Sequence, residues 1–527
     1  MPALKRESTG RHAFLVAAGI FLSRIVGLVR QGVFSHYFGL KSDPADAFNA
    51  AFRIPNFLQN LFGEGVLSAS FIPVYARLLS EGDEEESGRV AGAVGAILAL
   101  VASVLVLAGV LATPFLIDAI APGYHGAKRE LTIRLVQILF PGAGLLVLSA
   151  WCLGILNSHR KFFVSYTAPV LWSAAIIATL IAFGRRMDLG SLAETVAWGS
   201  VAGCGLQFGV QLPAVIRLVR RMRVRLDSHS ANVREVIKNF TPVFVSRGVV
   251  QISGYVDAWL ASWLGEGAMT GLANAQTLYM LPVSLFGMAV SAAELPAMSS
   301  ALGEREEVAE FLRRRLDAGL RQIAFFIVPS AMAFLALGDV VAGFVYQGGL
   351  FRRQDSLYVW GILTGSAVGL LASTLGRLYS STYYALRDTR TPLKFAVVRV
   401  CLTTGLGYLC ALPLPRWIGL DPAWGVAGLT ASAGLAGWVE FTLLRRTLNA
   451  RIGRTGVPAG LVTRLWGAAA AAAALAWAVK WGIGPHGPRV VGVMVLGAYG
   501  LAYFGMTYLL RVEECAGAFR RFARLRR

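Results

Sequence analysis

Arg24, Arg30, Arg53, Arg247 and Arg377 each interrupt a long apolar stretch of the chain, as do the acids Glu64, Asp257 and Glu294. A charge at the centre of a lipid-embedded helix costs about 3 kcal/mol on insertion scales, so such a residue is a functional candidate by default. Arg24 and Arg30 are six positions apart, which turns them about 120° from one another, so they can border one broad cavity but not one narrow stripe. Arg53 and Glu64 are separated by about three helical turns and share a face about 16 Å apart. The cationic excess around Arg24, Arg30, Arg53 and Arg247 lacks enough neighbouring carboxylates in sequence to neutralise it. Guanidinium groups in low dielectric call for an anion, and their planar fork matches phosphate oxygens, so a diphosphate is the natural ligand. Asp257, with Ser253 one turn earlier, could pair with Arg247 or bind a coupling cation, and the sequence leaves both open. The simpler account of a charge in a span is a structural ion pair or a side chain snorkelling to the interface. It fits Arg134, Arg399 and Glu440, which lie nearer span ends.

These charges matter because the surrounding segments read as membrane helices. Of 527 residues, 55% are hydrophobic and 15% charged, with a mean hydropathy of +0.58; a soluble domain carries about 25% charged residues. Runs such as 90–116, 162–184 and 461–479 are long enough for a hydrocarbon core of about 30 Å. Helices are required because backbone groups in lipid must find partners within their own segment. The pattern predicts an all-α polytopic membrane protein of about fourteen spans, from 12–39 and 45–79 through 233–264, 270–301 and 311–338 to 459–482 and 488–511. The first span reads as uncleaved, since no small-residue cleavage site follows Lys5, Arg6 and Arg11. The five cysteines are scattered and the six histidines show no ligand spacing, so no metal or redox cofactor is expected. No P-loop, no Gly-x-Ser-x-Gly elbow and no large hydrophilic domain occurs, which argues for a transporter rather than an enzyme.

An even number of spans puts both termini on one side. About two thirds of the basic residues then collect on that side, most of them in the N-terminal cluster, His159-Arg160-Lys161, the 217–238 run, Arg313-Arg314-Arg315, the 387–394 and 445–454 runs and the tail, which predicts cytoplasmic termini. The net charge of +20 reads as this topology signal plus attraction to anionic phospholipid, not as nucleic-acid binding, because it is divided among short loops. Ser23-Arg24 and Pro73 recur at equal separation as Ser246-Arg247 and Pro296, and Ile155-Leu-Asn-Ser-His-Arg160 is answered by Ala385-Leu-Arg-Asp-Thr-Arg390. These matches indicate a parallel repeat of six spans plus six, of the kind found in alternating-access transporters. The expected division is 1–225 and 226–450 for two six-helix lobes and 451–527 for two further helices and a basic tail. Nine prolines in or at the ends of spans, and the glycines from Gly425 to Gly437, suit helices that bend and approach closely.

Ser23-Arg-Ile-Val-Gly-Leu-Val-Arg30, Asp46-Ala-Phe, Ala51-Phe-Arg-Ile-Pro-Asn56, Gly63-Glu-Gly, Ser68 and Phe71-Ile-Pro73 resemble the MurJ (MviN) family of lipid II flippases. Ala121-Pro-Gly-Tyr124, Ile155-Leu-Asn157, Ala168-Pro169 and Tyr384-Ala-Leu-Arg-Asp-Thr-Arg-Thr-Pro392 extend the likeness. The resemblance implies the MOP exporter fold, with a C-terminal helix pair that forms a groove for the lipid tail. It implies transport of undecaprenyl-diphosphate-linked peptidoglycan precursor from the cytoplasmic to the periplasmic leaflet of the bacterial inner membrane, with cell-wall synthesis proteins as candidate partners. Arg24, Arg30 and Arg53 match the family's cationic cavity, Glu64 its acidic position, and Asp257 the region where some members place a sodium ligand. Coupling to Na+ or to the membrane potential is therefore expected, and no other cofactor.

The chain departs from the family pattern at Gln31, at Gln59-Asn60 and at Thr277, where members commonly carry Asp or Arg, and Glu294 is an addition. Arg247 or Arg377 could restore the charge absent at Thr277. These differences keep two alternatives open beside the flippase: an exporter of another polyprenyl-linked glycan, and a membrane scaffold without transport.

Overall fold

The computed structural model describes residues 3–219, 221–227, 230–299, 304–484 and 486–516; the side chains of 3–18, 20, 64, 245–253, 296 and 305 lie outside the described ones. The described residues fold as helices, with one isolated bridge between Gly348 and Phe351. Contacts divide the chain into two units, Met1–Met269 and Thr270–Arg527.

The first unit contains α1 (Ala3–Phe38), α2 (Asp43–Phe62), α3 (Glu64–Glu81), α4 (Glu84–Ile120), α5 (Gly126–Ser158), α6 (Phe162–Phe183), α7 (Leu189–Leu218) and α8 (Ala231–Ser262). Local chemistry sets its helix starts. The Ser42 hydroxyl accepts from the Ala45 amide at the start of α2, and the Asp83 carboxylate accepts from the Glu86 amide ahead of three acids in the first turn of α4; side-chain caps of this kind satisfy amides with no intrahelical partner. Helix α5 runs through the middle of the unit and packs on α2, α4 and α7, while α6 packs on α1 and α7, and α8 packs on α3. Two apolar cores result. One gathers Phe34, Phe38, Phe48, Ile54, Leu135 and Leu180 from α1, α2, α5 and α6; the other joins Phe71, Tyr75, Val90, Trp151, Val215 and Val233 from α3 to α8.

The second unit holds α9 (Ala268–Pro282), a π turn (Val283–Met288), α10 (Ala289–Ser299), α11 (Arg305–Tyr346), α12 (Arg353–Ala385), α13 (Arg390–Ala411), the short α14 (Pro413–Trp417), a 3-10 turn (Pro422–Trp424), α15 (Gly425–Ile452), α16 (Ala459–Ile483) and α17 (Pro488–Leu509). Helix α15 lies against α12 and α13, and α16 and α17 pair with each other and with α11. The α12–α15 contact is backbone to backbone: a Cβ on Gly369 would stand 2.3 Å from the Gly434 Cα. This is the close approach expected from the glycines of 425–437. Trp417 and Trp481 are 72% and 77% exposed, as suits indole rings at a membrane–water interface.

Each expected span coincides with one helix or a helix pair. The span expected at 45–79 breaks into α2 and α3 at Gly63, where a Cβ would lie 2.3 Å from the Gln59 carbonyl oxygen. The span expected at 270–301 is interrupted by the π turn after Pro282, and α11 runs past 311–338 at both ends; residues 300 and 301 lie outside the described ones. Eleven helical segments of the described residues are long and apolar enough to cross a membrane. Helices α1, α2, α3 and α8 are not among the eleven, and they carry Arg24, Arg30, Arg53, Glu64, Arg247 and Asp257.

The contact division falls after Met269, and α8 packs on α3, α4 and α2. The two basic turns matched in the sequence share a backbone device, three residues out of the register read from their letters. After α5, Arg160 adopts φ 59°, with Arg160 N–H bonded to the Asn157 carbonyl and Lys161 N–H to that of Leu156; after α12, Arg387 adopts φ 60°, with Arg387 N–H to Tyr384 and Asp388 N–H to Tyr383. Both are Schellman closures in which arginine takes the left-handed position. In the second turn the Thr391 hydroxyl and amide, together with Arg451, hold the Asp388 carboxyl down at about 2.

Candidate functional site

Arg30 lies on α1 one turn before the aromatic run Phe34 to Phe38. Its guanidinium carbon is 5.5 Å from the centroid of Phe52 on α2 and 5.1 Å from that of Trp172 on α6. Those two rings are parallel within 4° and 5.5 Å apart, so the three centres form a nearly equilateral triangle. The contacts place the cation over two aromatic rings and leave its charge intact. Among the described residues no carboxylate pairs with Arg30. The indole N–H of Trp172 donates to the Ser200 hydroxyl on α7 at 2.9 Å, which fixes the ring.

Arg53 is the next residue on α2, and consecutive helical residues point about 100° apart. Phe52 therefore faces α1 and α6 while Arg53 reaches α8. There its Nη1 donates to the Gly254 carbonyl at 3.3 Å, the Tyr255 hydroxyl donates to the Arg53 carbonyl at 2.9 Å, and the Asp257 carboxylate attracts the guanidinium. Asp257 thus has Arg53 as an electrostatic partner, beyond the two readings the sequence left open. The Arg247 side chain lies outside the described residues, as does that of Glu64, which begins α3. Arg24 is exposed on α1.

In the second unit, Arg377 is exposed on α12, within electrostatic reach of Tyr279, Arg399 and Glu440. Thr277 donates its hydroxyl to the Ala273 carbonyl one turn back. The three charges assigned a structural role do pair: Arg134 with Glu194 at 3.2 Å, and Arg399 with Glu440 at 3.1 Å. Glu294 faces Arg315 at 3.5 Å. Among the described residues no three His, Cys, Asp or Glu side chains gather as a metal site.

Sequence reasoning missed a polar knot in the first unit. Asp46 on α2 is fully buried, and Lys128 on α5 reaches both Asp46 and Asp43 at 3.0 Å. The Gly267 amide donates to the Asp46 carboxylate at 2.8 Å, and the Lys128 ammonium sits 4.5 Å over the Tyr124 ring. Burial and the nearby Asp46 charge push the Tyr124 phenol well above its usual value. Asp46 and Tyr124 both occur in the motifs Asp46-Ala-Phe and Ala121-Pro-Gly-Tyr124, so the residues were visible although their partnership was not. Phe52 stands in the motif Ala51-Phe-Arg-Ile-Pro-Asn56, but its partnership with Trp172 and Ser200 carried no sequence signal, because three helices must come together before an aromatic platform exists.

The model for the family described as lipid II flippase MurJ matches residues 34–491. A protein of Rhizobium meliloti (strain 1021) named probable lipid II flippase MurJ is 30% identical over 469 residues, covering 87% of this chain and 84% of the relative. A Bdellovibrio bacteriovorus protein of the same name is 28% identical, with 97% and 96% covered. Among solved structures, lipid II flippase MurJ in an inward closed conformation superimposes with a TM-score of 0.76 at 23% identity, covering 94% of this chain and 98% of that one. An inward-facing multidrug resistance MATE transporter of the MOP superfamily gives 0.66 at 18% identity, with 81% and 95% covered. These two likenesses concern the fold, and they agree with the MOP exporter architecture. A polytopic all-helical membrane chain matched from residue 34 to 491, with relatives that are named as flippases rather than enzymes, belongs to the lipid II flippase MurJ family.

Proposed function

We propose that this protein carries lipid II, an undecaprenyl-diphosphate-linked peptidoglycan precursor, from the cytoplasmic to the periplasmic leaflet of the bacterial inner membrane. Family membership supports the cargo, since the relatives are named for it. The observation that carries the chemistry is Arg30, a guanidinium set against two aromatic rings and, among the described residues, paired with no acid. Its in-plane N–H donors match phosphate oxygens. The sugar–peptide head enters with the diphosphate while the prenyl chain stays in lipid, and exposure of the site alternates between the two faces. Both termini are cytoplasmic on this reading, as the Lys/Arg distribution supports. Coupling runs through Na+ or the membrane potential, with Asp257 as the acid to test. Cell-wall synthesis proteins are the proposed protein partners, to be sought by co-purification.

Complementation of a strain depleted of its own flippase tests the reading. Rescue by the wild-type chain, and its loss in Arg30→Ala at equal membrane level, is the expected result; failure of the correctly inserted wild type to rescue contradicts it. A second reading, export of a different polyprenyl-linked glycan, is favoured by the absence of the arginines that the resemblance expects around Gln59-Asn60 and at Thr277. It predicts diphosphate binding without rescue.

A further inference from the structure

Phe52 and Trp172 are the end of a longer aromatic series. Phe38 stacks on Phe34 at 4.4 Å, Phe34 meets Phe48 at 5.1 Å, Phe48 stacks on Phe52 at 5.7 Å, and Phe52 stacks on Trp172 at 5.5 Å. Phe34, Phe38 and Phe48 are buried in the core of the first unit, so the series is anchored at one end by packing. At the other end Trp172 is fixed twice. Its N–H is bonded to Ser200, and α7 comes close enough that a Cβ on Gly203 would be 3.0 Å from both the Trp172 Cα and Cδ1. Arg30 rests on this fixed end.

The choice of partner has a chemical consequence. A carboxylate beside Arg30 would neutralise it and occupy its N–H donors, leaving little for an incoming anion. An aromatic face orients the guanidinium plane, keeps the full charge, and leaves the five N–H donors at its edge. Arg53 shows the contrast within the same helix pair, since its N–H already serves the Gly254 carbonyl and its charge is met by Asp257.

We infer that Phe52, Trp172 and Ser200 are positioning residues that hold Arg30 by its face and present its N–H edge to a phosphate oxygen of the transported lipid. The inference rests on the proposed diphosphate cargo and assigns the groups that preorganise its contact. None of the three needs to touch the lipid; they act through Arg30.

The test is a titration of the full-length chain in lipid nanodiscs with undecaprenyl diphosphate, and in parallel with undecaprenol, which has the same tail and no phosphate. Trp172→Leu is expected to weaken undecaprenyl diphosphate about three- to tenfold and to leave undecaprenol unchanged. Trp172→Phe, which keeps an aromatic face, is expected to stay near wild type, and Ser200→Ala to fall between. In an Arg30→Gln background Trp172→Leu is expected to add nothing. The proposal is overturned if Trp172→Leu binds like wild type while Arg30→Gln does not. It is also overturned if Trp172→Leu weakens both lipids alike, or if its effect persists without Arg30, since each of those outcomes makes Trp172 a packing residue. Absence of undecaprenyl diphosphate binding in the wild type defeats the diphosphate cargo itself, and this proposal with it.

Discussion

Arg30 and Arg53 are guanidiniums on neighbouring helices with different surroundings. Arg30 meets two rings, whereas Arg53 meets a carbonyl and an acid on α8. The sequence made both arginines visible, because a charge in an apolar run is conspicuous. It could not show the rings, because 29 Phe and 12 Trp offer too many candidates and no spacing rule links α1, α2 and α6. The same holds for Lys128, which reads as an ordinary first-turn lysine until Asp46 is found buried beside it. Lys128→Met leaves that carboxylate buried without its ammonium, and breaking a buried pair in this way costs about 3–5 kcal/mol. A clear fall in thermal stability in detergent is expected, with partial recovery in the Asp46→Asn, Lys128→Met double variant. A second residue-scale prediction concerns pH. His159, in the turn after α5, is hydrogen-bonded to the Tyr75 hydroxyl at 3.0 Å, and burial and then Lys161 hold its pKa below the usual 6.5. The folded protein therefore favours the neutral ring, so the contribution is complete above 6.5 and declines as the pH falls from there toward the lower folded value. The melting temperature is expected to drop between pH 7.5 and 5.5, and less so in His159→Gln.

At the scale of elements, hydropathy located the helices and missed their interruptions. Gly63 and the π turn after Pro282 each lie within a stretch that reads as one span, because a local break in hydrogen bonding leaves the apolar average unchanged. The register of the two basic turns was likewise hidden, since the left-handed arginine that closes each helix is a property of backbone φ and not of residue type. Glycine spacing was more informative, and α15 allows a paired test. A Cβ at Gly434 would stand 2.7 Å from the Gly369 amide nitrogen, while a Cβ at Gly437 on the same helix meets nothing within 4 Å. Gly434→Ala is expected to force α12 and α15 apart, destabilising by about 1–3 kcal/mol as overpacking does. Gly437→Ala is expected to be neutral or to stabilise by up to about 1 kcal/mol through helix propensity. Thermal melts of the two variants check both signs, and a loss in Gly437→Ala equal to that in Gly434→Ala refutes the close-approach argument.

At the scale of the whole molecule, composition and charge carried the membrane class, and the motifs of the first two spans carried the family. The contacts of α8 were not legible, because by sequence repeat it goes with the second half of the chain and it packs on α2, α3 and α4. The basic residues make a topological prediction: a fluorescent reporter that matures only in the cytoplasm is expected to light when fused to the C-terminus, while a periplasm-dependent phosphatase fused there stays inactive. The proposed transport moves a diphosphate-linked lipid through a contact with Arg30. Its most direct test is the fraction of lipid II accessible at the outer face of spheroplasts from a flippase-depleted strain. The wild-type chain is expected to restore that fraction and Arg30→Ala to leave it at the depleted level, with both present equally in the membrane. Full outer-face accessibility in Arg30→Ala would contradict the account.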